Sequence, residues 1–92
     1  MTEATLTILN KVGLHARPAA VFFKKAREFK STITIQNLSR AGSPEVTVSA
    51  FNLLQIGVKQ GNEVRLRADG PDEEAAIAAL TQLIEEKFGE EE

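Results

Sequence analysis

Residues 16–35, ARPAAVFFKKAREFKSTITI, decide the fold because the period of their apolar residues changes from 3.6 to 2. The first part carries an apolar stripe at helical spacing, formed by Ala19, Phe22, Phe23 and Ala26. This stripe predicts an amphipathic helix over 16–29. In the second part Ile33 and Ile35 alternate with threonines, which predicts a strand with one apolar face.

Three further segments alternate apolar and polar residues and are predicted as strands. They are residues 4–8, 46–48 and 64–68. A turn-rich segment at 38–44 joins the strand after the first helix to its successor as a hairpin. In the last strand the apolar side chains point inward, while Arg65 and Arg67 point outward.

Two more helices follow from capping residues and charge. Ser49 is a residue type favoured at the N-cap, and it precedes a short helix over 50–56. The last helix opens after Gly70 with acidic residues in its first turn, which suit the positive end of the helix dipole. Its predicted buried stripe is Ala76, Leu80, Leu83 and Ile84, and Gly89 is expected to end it.

The predicted order is βαββαβα. Because each strand has a single apolar face, we expect an α+β fold with an antiparallel sheet covered on one side by helices. Residues 1–89 are expected to form one domain, and the acidic residues 90–92 a frayed tail.

Composition excludes several classes of protein. The chain has 92 residues, no cysteine, one histidine and a net charge of −2. Disulfides, thiolate metal sites and a bound cofactor are therefore not expected. No signal peptide or long apolar run is present, so a cytoplasmic protein without membrane insertion is expected. Few aromatic residues and a slightly acidic balance argue against nucleic-acid binding.

His15 is the candidate for chemistry. It lies two residues before Arg17 and three before Pro18, a residue type favoured in the first turn of a helix. A helix N-terminus disfavours the imidazolium ion and favours anions. A phosphoryl group on His15 would meet backbone N–H groups at Ala16 and Arg17, and the guanidinium of Arg17. Alternatively, a lone histidine caps or packs.

The first helix also has a basic face, made of Arg17, Ala20, Lys24 and Arg27. Such a face is either solvated or a docking surface that attracts acidic partners. Phe51 and Leu54 lie three residues apart on the short helix. Spacing leaves it open whether this pair belongs to the core or to the apolar centre of an interface.

The segment GLHARPAA at 13–20 resembles the active-site signature of the HPr family, the histidine phosphocarriers of the bacterial phosphoenolpyruvate-dependent phosphotransferase system. QIGVKQGNEV at 55–64 is also similar to a stretch of that family. The resemblance implies an open-faced β-sandwich with strand order 1-4-2-3 and three helices on one face. It also implies a non-enzymatic carrier, and because a carrier that shuttles between partners is most useful as a monomer, a monomer is expected.

The resemblance assigns roles to the residues. His15 would accept a phosphoryl group on Nδ1 from phosphorylated enzyme I and pass it to an enzyme IIA domain during sugar uptake, with help from Arg17. The docking surface would contain Ala20, Lys24, Arg27, Phe51 and Leu54.

Ser49 aligns with the serine that HPr kinase/phosphorylase modifies in many relatives. The usual KSIMG context is replaced by VSAFN here, so N-capping is the alternative role. Val12 replaces a hydroxyl residue of other relatives. Two alternative functions remain: a regulatory HPr paralogue that acts by phosphorylation-dependent protein binding, and an interaction module whose His15 is structural.

Overall fold

The computed structural model describes residues 1–10, Gly13 and residues 16–89. Its elements are β1 (Thr2–Thr7), α1 (Ala16–Ala26), β2 (Thr32–Asn37), β3 (Val46–Thr47), α2 (Ala50–Gln55), β4 (Glu63–Asp69) and α3 (Glu73–Glu85). A short 3₁₀ turn, Lys87–Gly89, follows α3. The predicted order βαββαβα is confirmed, and the acidic tail predicted at 90–92 lies outside the described residues.

The four strands form one antiparallel sheet in the order β1-β4-β2-β3. The register places Ile35 of β2 opposite Leu66 of β4 on one side and opposite Val46 of β3 on the other. This arrangement confirms the strand order that the family resemblance implied. It also confirms the hairpin between the two strands that follow α1.

One face of the sheet and the inner faces of the three helices share the core. Val64, Leu66 and Ala68 of β4 are completely buried, as their alternation predicts. The helices contribute the largest buried side chains, among them Phe22 of α1 and Leu80 of α3. The other face of the sheet carries the polar residues of the same strands and stays open to solvent.

Helix α1 ends at Ala26, so the prediction that it runs to residue 29 is wrong. After the helix, the amides of Glu28 and Phe29 form hydrogen bonds of a tighter turn, each to the carbonyl three residues earlier, at 3.1 and 3.2 Å. The following two amides, of Lys30 and Ser31, donate instead to the carboxylate of Asp72, at 2.8 and 2.9 Å. The N-cap carboxylate of α3 thus binds the segment that follows α1.

Helix α3 ends at Glu85, four residues before the glycine that was expected to end it. Lys87 and Phe88 have positive φ angles of 55° and 58°. Phe88 is buried and meets the ring of Phe22 edge-on, with centroids 6.2 Å apart. Two left-handed residues cost about 2–4 kcal/mol together, and burying a phenylalanine gains about 1.5–3 kcal/mol. The burial of Phe88 therefore offsets most of the turn's strain.

The predicted stripe of α3 is only partly confirmed. Ala76, Leu80 and Ile84 are buried, but Leu83 is half-buried and Ile77, which the pattern did not include, is buried. The apolar face of this helix is therefore rotated slightly from the predicted one.

Candidate functional site

His15 itself lies outside the described residues, but the loop just before it is held at Gly13. The Gly13 amide donates to the Asn10 carbonyl at 3.1 Å, and the Asn10 side-chain Nδ2 donates to the Gly13 carbonyl at 2.7 Å. A Cβ at position 13 would lie 2.4 Å from the carbonyl oxygen of Val58, and its φ of 62° disfavours other residues. Glycine is therefore required two residues before the histidine.

Asn10 is a structural residue of this turn that the sequence analysis missed. It is fully buried, and its side chain spans the turn that leads toward the predicted reactive histidine. An asparagine three residues before a glycine is a common turn signal and could have been noticed. No apolar pattern marks it, however, because its role depends on one turn.

Helix α1 begins at Ala16, immediately after His15, as predicted. Arg17 is exposed while Pro18 and Ala19 are buried against the core. Proline in this first turn has no amide hydrogen to leave unpaired, and its fixed φ suits the helix. The guanidinium of Arg17 is therefore exposed to solvent at the start of α1, two residues after His15 in the sequence.

The exposed side of α1 is the basic face that the spacing predicts. Arg17, Ala20, Lys24 and Arg27 are all exposed, although Arg27 lies one residue beyond the end of the helix. Among the described residues, none of the three cations of this set forms an ion pair, whereas the neighbouring Lys25 meets Glu28 at 3.5 Å. Uncompensated positive charge is therefore concentrated on one side of α1.

Helix α2 lies beside α1 and exposes apolar side chains. Phe51 is 68% exposed and Leu54 46% exposed, while Leu53 and Ile56 are buried. The open question about the exposed pair is thereby answered in favour of the surface. We call the exposed cations and apolar residues on this side of α1 and α2 the helix face; they are Arg17, Ala20, Lys24, Arg27, Phe51 and Leu54.

Capping contacts hold α2 in place. Ser49 is its N-cap, and the serine Oγ accepts a hydrogen bond from the Asn52 amide at 3.1 Å. At the other end, the Asn37 side chain donates to the carbonyl of Ile56 at 3.0 Å, and Arg40 donates to that of Gln55 at 3.1 Å. Both donors come from the end of β2 and the loop after it, and the sequence analysis did not predict them.

The outer side of the sheet has a different electrostatic character. Arg67 bonds to Glu3 at 2.8 Å and to Glu45 at 3.0 Å. A hydrogen bond from Thr34, together with Arg67, lowers the pKa of Glu45 below its usual 4.5. The same carboxylates raise the pKa of the Arg67 guanidinium. Arg65 donates to the side-chain oxygen of Gln36 on the same side of the sheet. We call these outward-facing residues the sheet face; they are Glu3, Thr34, Gln36, Glu45, Arg65 and Arg67.

Neither a metal centre nor a membrane span is found within the described ranges. Residues 1–10, 13 and 16–89 contain no group of three or more histidine, acidic or cysteine side chains suited to a metal ion. In the same part of the chain, no helix is both long and apolar enough to cross a bilayer.

Together, the sheet order, the three helices on one side and the glycine-positioned loop before α1 define a small open-faced β-sandwich domain. The chain belongs to the HPr family of phosphocarriers of the phosphotransferase system. The family model described as "PTS HPr component phosphorylation site" matches residues 2–86.

Similar proteins agree with this assignment. The chain is 40% identical over 84 residues to the phosphocarrier protein HPr of Mycoplasma capricolum, covering 91% of each chain. It is 39% identical over 87 residues to the multiphosphoryl transfer protein of Vibrio cholerae, which covers 95% of this chain. The chain spans only about a fifth of that relative, 22% of its length.

A solved structure matches over the full length. The crystal structure of HPr-C-His from Thermoanaerobacter tengcongensis superposes with a TM-score of 0.90 and 48% identity, covering 100% of both chains. This likeness confirms the open-faced α+β architecture that the sequence predicted.

Proposed function

We propose that the protein is a cytoplasmic, monomeric phosphoryl shuttle rather than an enzyme. In this proposal His15 accepts a phosphoryl group from phosphorylated enzyme I on Nδ1 and donates it to enzyme IIA domains during sugar uptake. A nitrogen–phosphorus bond forms at His15 as the bond between phosphorus and the donor breaks. In the second transfer the bond to His15 breaks as phosphorus bonds to the acceptor.

The observation that carries the proposal is the helix face. Cations without carboxylate partners in the described ranges run along the exposed side of α1, the helix that follows His15, and the adjacent α2 exposes an aromatic–aliphatic pair. A carrier must bind two different proteins in turn and release each quickly, which favours a small interface with an apolar centre and a charged rim. Unpaired cations also speed encounter with acidic partners.

Arg17 and the first backbone amides of α1 are assigned to the phosphoryl group. The guanidinium offers donors in a fork that matches phosphoryl oxygens, and it forms no ion pair within the described ranges. The backbone N–H groups of Ala16 and Arg17 belong to the first turn of α1, where helical amides lack intrahelical partners. These donors would stabilise the charge that spreads over the transferring group.

The decisive experiment is a phosphorylation assay. Incubation with phosphoenolpyruvate, magnesium and enzyme I should add one acid-labile phosphate, which His15→Ala should not carry. Equal labelling of wild type and His15→Ala, or no labelling of either, would reject the proposal. Onward transfer to a purified enzyme IIA domain then separates a transport carrier from the regulatory paralogue, which would keep its phosphate.

Ser49 is a second, regulatory candidate within the same proposal. Its Oγ already accepts the Asn52 amide, so capping accounts for the residue without any modification. A phosphate there would add charge beside the apolar pair of α2 and weaken docking. Incubation with HPr kinase and ATP should add a mass of one phosphate that Ser49→Ala lacks. Absence of that mass gain in wild type would leave Ser49 a cap alone.

A further inference from the structure

The geometry points to a specificity pocket at the end of the helix face. We propose that the groove between the end of α1 and strands β2 and β3 receives a phenylalanine- or leucine-sized side chain from an acidic segment of the docking partner. The inference rests on the proposed function, because it takes the helix face as the surface on which partner proteins bind.

The groove has an apolar base, and its walls are partly aromatic and partly polar, with a serine and two threonines beside the rings. Ala26, Ile33 and Val48 are buried at its base, and Phe23 and Phe29 are half-buried beside them. Its volume is about 250 Å³. An engineered apolar cavity of about 150 Å³ accommodates benzene in another protein. The groove is thus large enough for one aromatic or branched aliphatic side chain.

A single cation selects the charge of the occupant. The Arg27 guanidinium lies 5.5 Å from the centre of the Phe23 ring and lines the groove. Within the described part of the chain it has no carboxylate partner. Stacking leaves the edge of an arginine free to bind a carboxylate with two hydrogen bonds. An apolar side chain next to a glutamate or aspartate therefore fits both parts of the groove.

The walls of the groove are held in place without a ligand. Asp72 accepts hydrogen bonds from the Lys30 and Ser31 amides and, at 2.5 Å, from the Ser31 hydroxyl. These bonds lower the pKa of Asp72, which keeps its carboxylate charged. On the opposite wall, the Asn52 side chain donates to the carbonyl of Thr47 at 2.9 Å. A preformed groove lowers the entropic cost of binding.

The groove continues the helix face. Arg27 belongs to both, and Val48 at the base directly precedes Ser49, the N-cap of α2. A protein bound across α1 and α2 could therefore extend a segment into the groove. The cations of α1 would favour acidic residues on that segment, which is why we assign the groove to the docking partner.

The test is an amide NMR titration with two acidic pentapeptides, acetyl-Glu-Glu-Phe-Glu-Glu-amide and the same peptide with alanine in the centre. The phenylalanine peptide should shift the amides of Ala26, Ile33 and Val48 saturably. The alanine peptide should bind about tenfold or more weakly, because it buries no ring. Equal binding of the two peptides, or no binding of either, would overturn the inference.

Two matched variants locate the site. Ala26→Leu fills the base of the groove and should remove the preference for phenylalanine. Ala79→Leu adds the same volume in a second depression, of about 180 Å³ between α1 and α3, and should retain it. If a thermal scan shows that Ala26→Leu does not fold, the comparison of the phenylalanine and alanine peptides on the wild-type protein still tests the inference. A preserved preference in folded Ala26→Leu argues against the groove.

A kinetic measurement connects the groove to the partner. Ala26→Leu should raise KM several-fold for phosphorylated enzyme I, for enzyme IIA or for both, and leave kcat unchanged, whereas Ala79→Leu should do neither. Unchanged KM with both proteins would contradict the assignment to a docking partner. Because the peptide titration requires no phosphoryl chemistry, its failure and a failure of the phosphocarrier proposal are distinguishable.

Discussion

The helix face and the sheet face both present arginines to solvent, but they use them differently. On the sheet face, Arg67 lies between Glu3 and Glu45, so its charge is compensated within the chain. On the helix face, Arg17 and Arg27 have no carboxylate partner among the described residues. The charge of Arg67 is therefore compensated within the chain, while Arg17 and Arg27 retain positive charge for an external group.

The apolar residues show the same contrast. The strands alternate strictly, so their outward positions are polar, whereas α2 exposes Phe51 and Leu54. Exposed apolar side chains beside three cations without carboxylate partners in the described part of the chain on one side, and polar strand positions with Arg67 paired to two carboxylates on the other, favour the helix face as the proposed protein-binding side. Variants on the two faces should therefore affect different properties.

The largest effect is expected from Arg17→Ala. Phosphoryl transfer from enzyme I should slow by about 100-fold, because one charge-assisted donor to the transferring group is lost. The thermal transition should stay close to that of wild type, since the side chain is exposed. The assay is single-turnover labelling of His15 beside a calorimetric scan.

Arg67→Ala is the control from the sheet face. It should retain the transfer rate of wild type, because its partners are Glu3 and Glu45 rather than the phosphoryl group. A loss of transfer in Arg67→Ala equal to that in Arg17→Ala would remove the distinction between the faces.

A smaller effect is expected from Phe51→Ser. The KM for phosphorylated enzyme I should rise about tenfold with kcat retained, as for an aromatic side chain at the centre of an interface. Leu38→Ser is the control, because Leu38 is 43% exposed but lies outside the helix face. Steady-state kinetics of the two variants decide the matter, and similar KM values for both would contradict a localised docking surface.

The smallest effect concerns acid and the sheet face. Because the folded state lowers the pKa of Glu45 from 4.5, its contribution to stability is complete above that pH and is lost as the pH falls through the lower, folded pKa. Glu45→Gln should therefore flatten the dependence of unfolding free energy on pH in this acidic range. Urea titrations between neutral and acidic pH measure the slope.

Glu85→Gln is the control for this measurement, since Glu85 is exposed and forms no ion pair within the described ranges. It should leave the slope as in wild type. An identical flattening in both variants would show that general charge, rather than the Arg67 network, causes the pH dependence.

Much of the fold could be predicted because it depends on local patterns. The alternation of Val64, Leu66 and Ala68 predicts their burial, and Ser49 predicts the start of α2. The basic face of α1 also follows from spacing. For Phe51, by contrast, spacing alone could not choose between core and surface. A helix of six residues presents too few apolar positions to define its buried side.

The sequence by itself determined the helices and strands, their inward faces and the residues available for chemistry. Helical and strand periods depend only on residues that are close together in the chain, so a sequence pattern shows them directly. Only the tertiary structure showed where α1 ends and which distant residues pack against α1 and the segment after it. Asp72 reaches Ser31 across 41 positions of sequence, and Phe88 packs on Phe22. Such contacts leave no local period, because they arise from packing between distant segments.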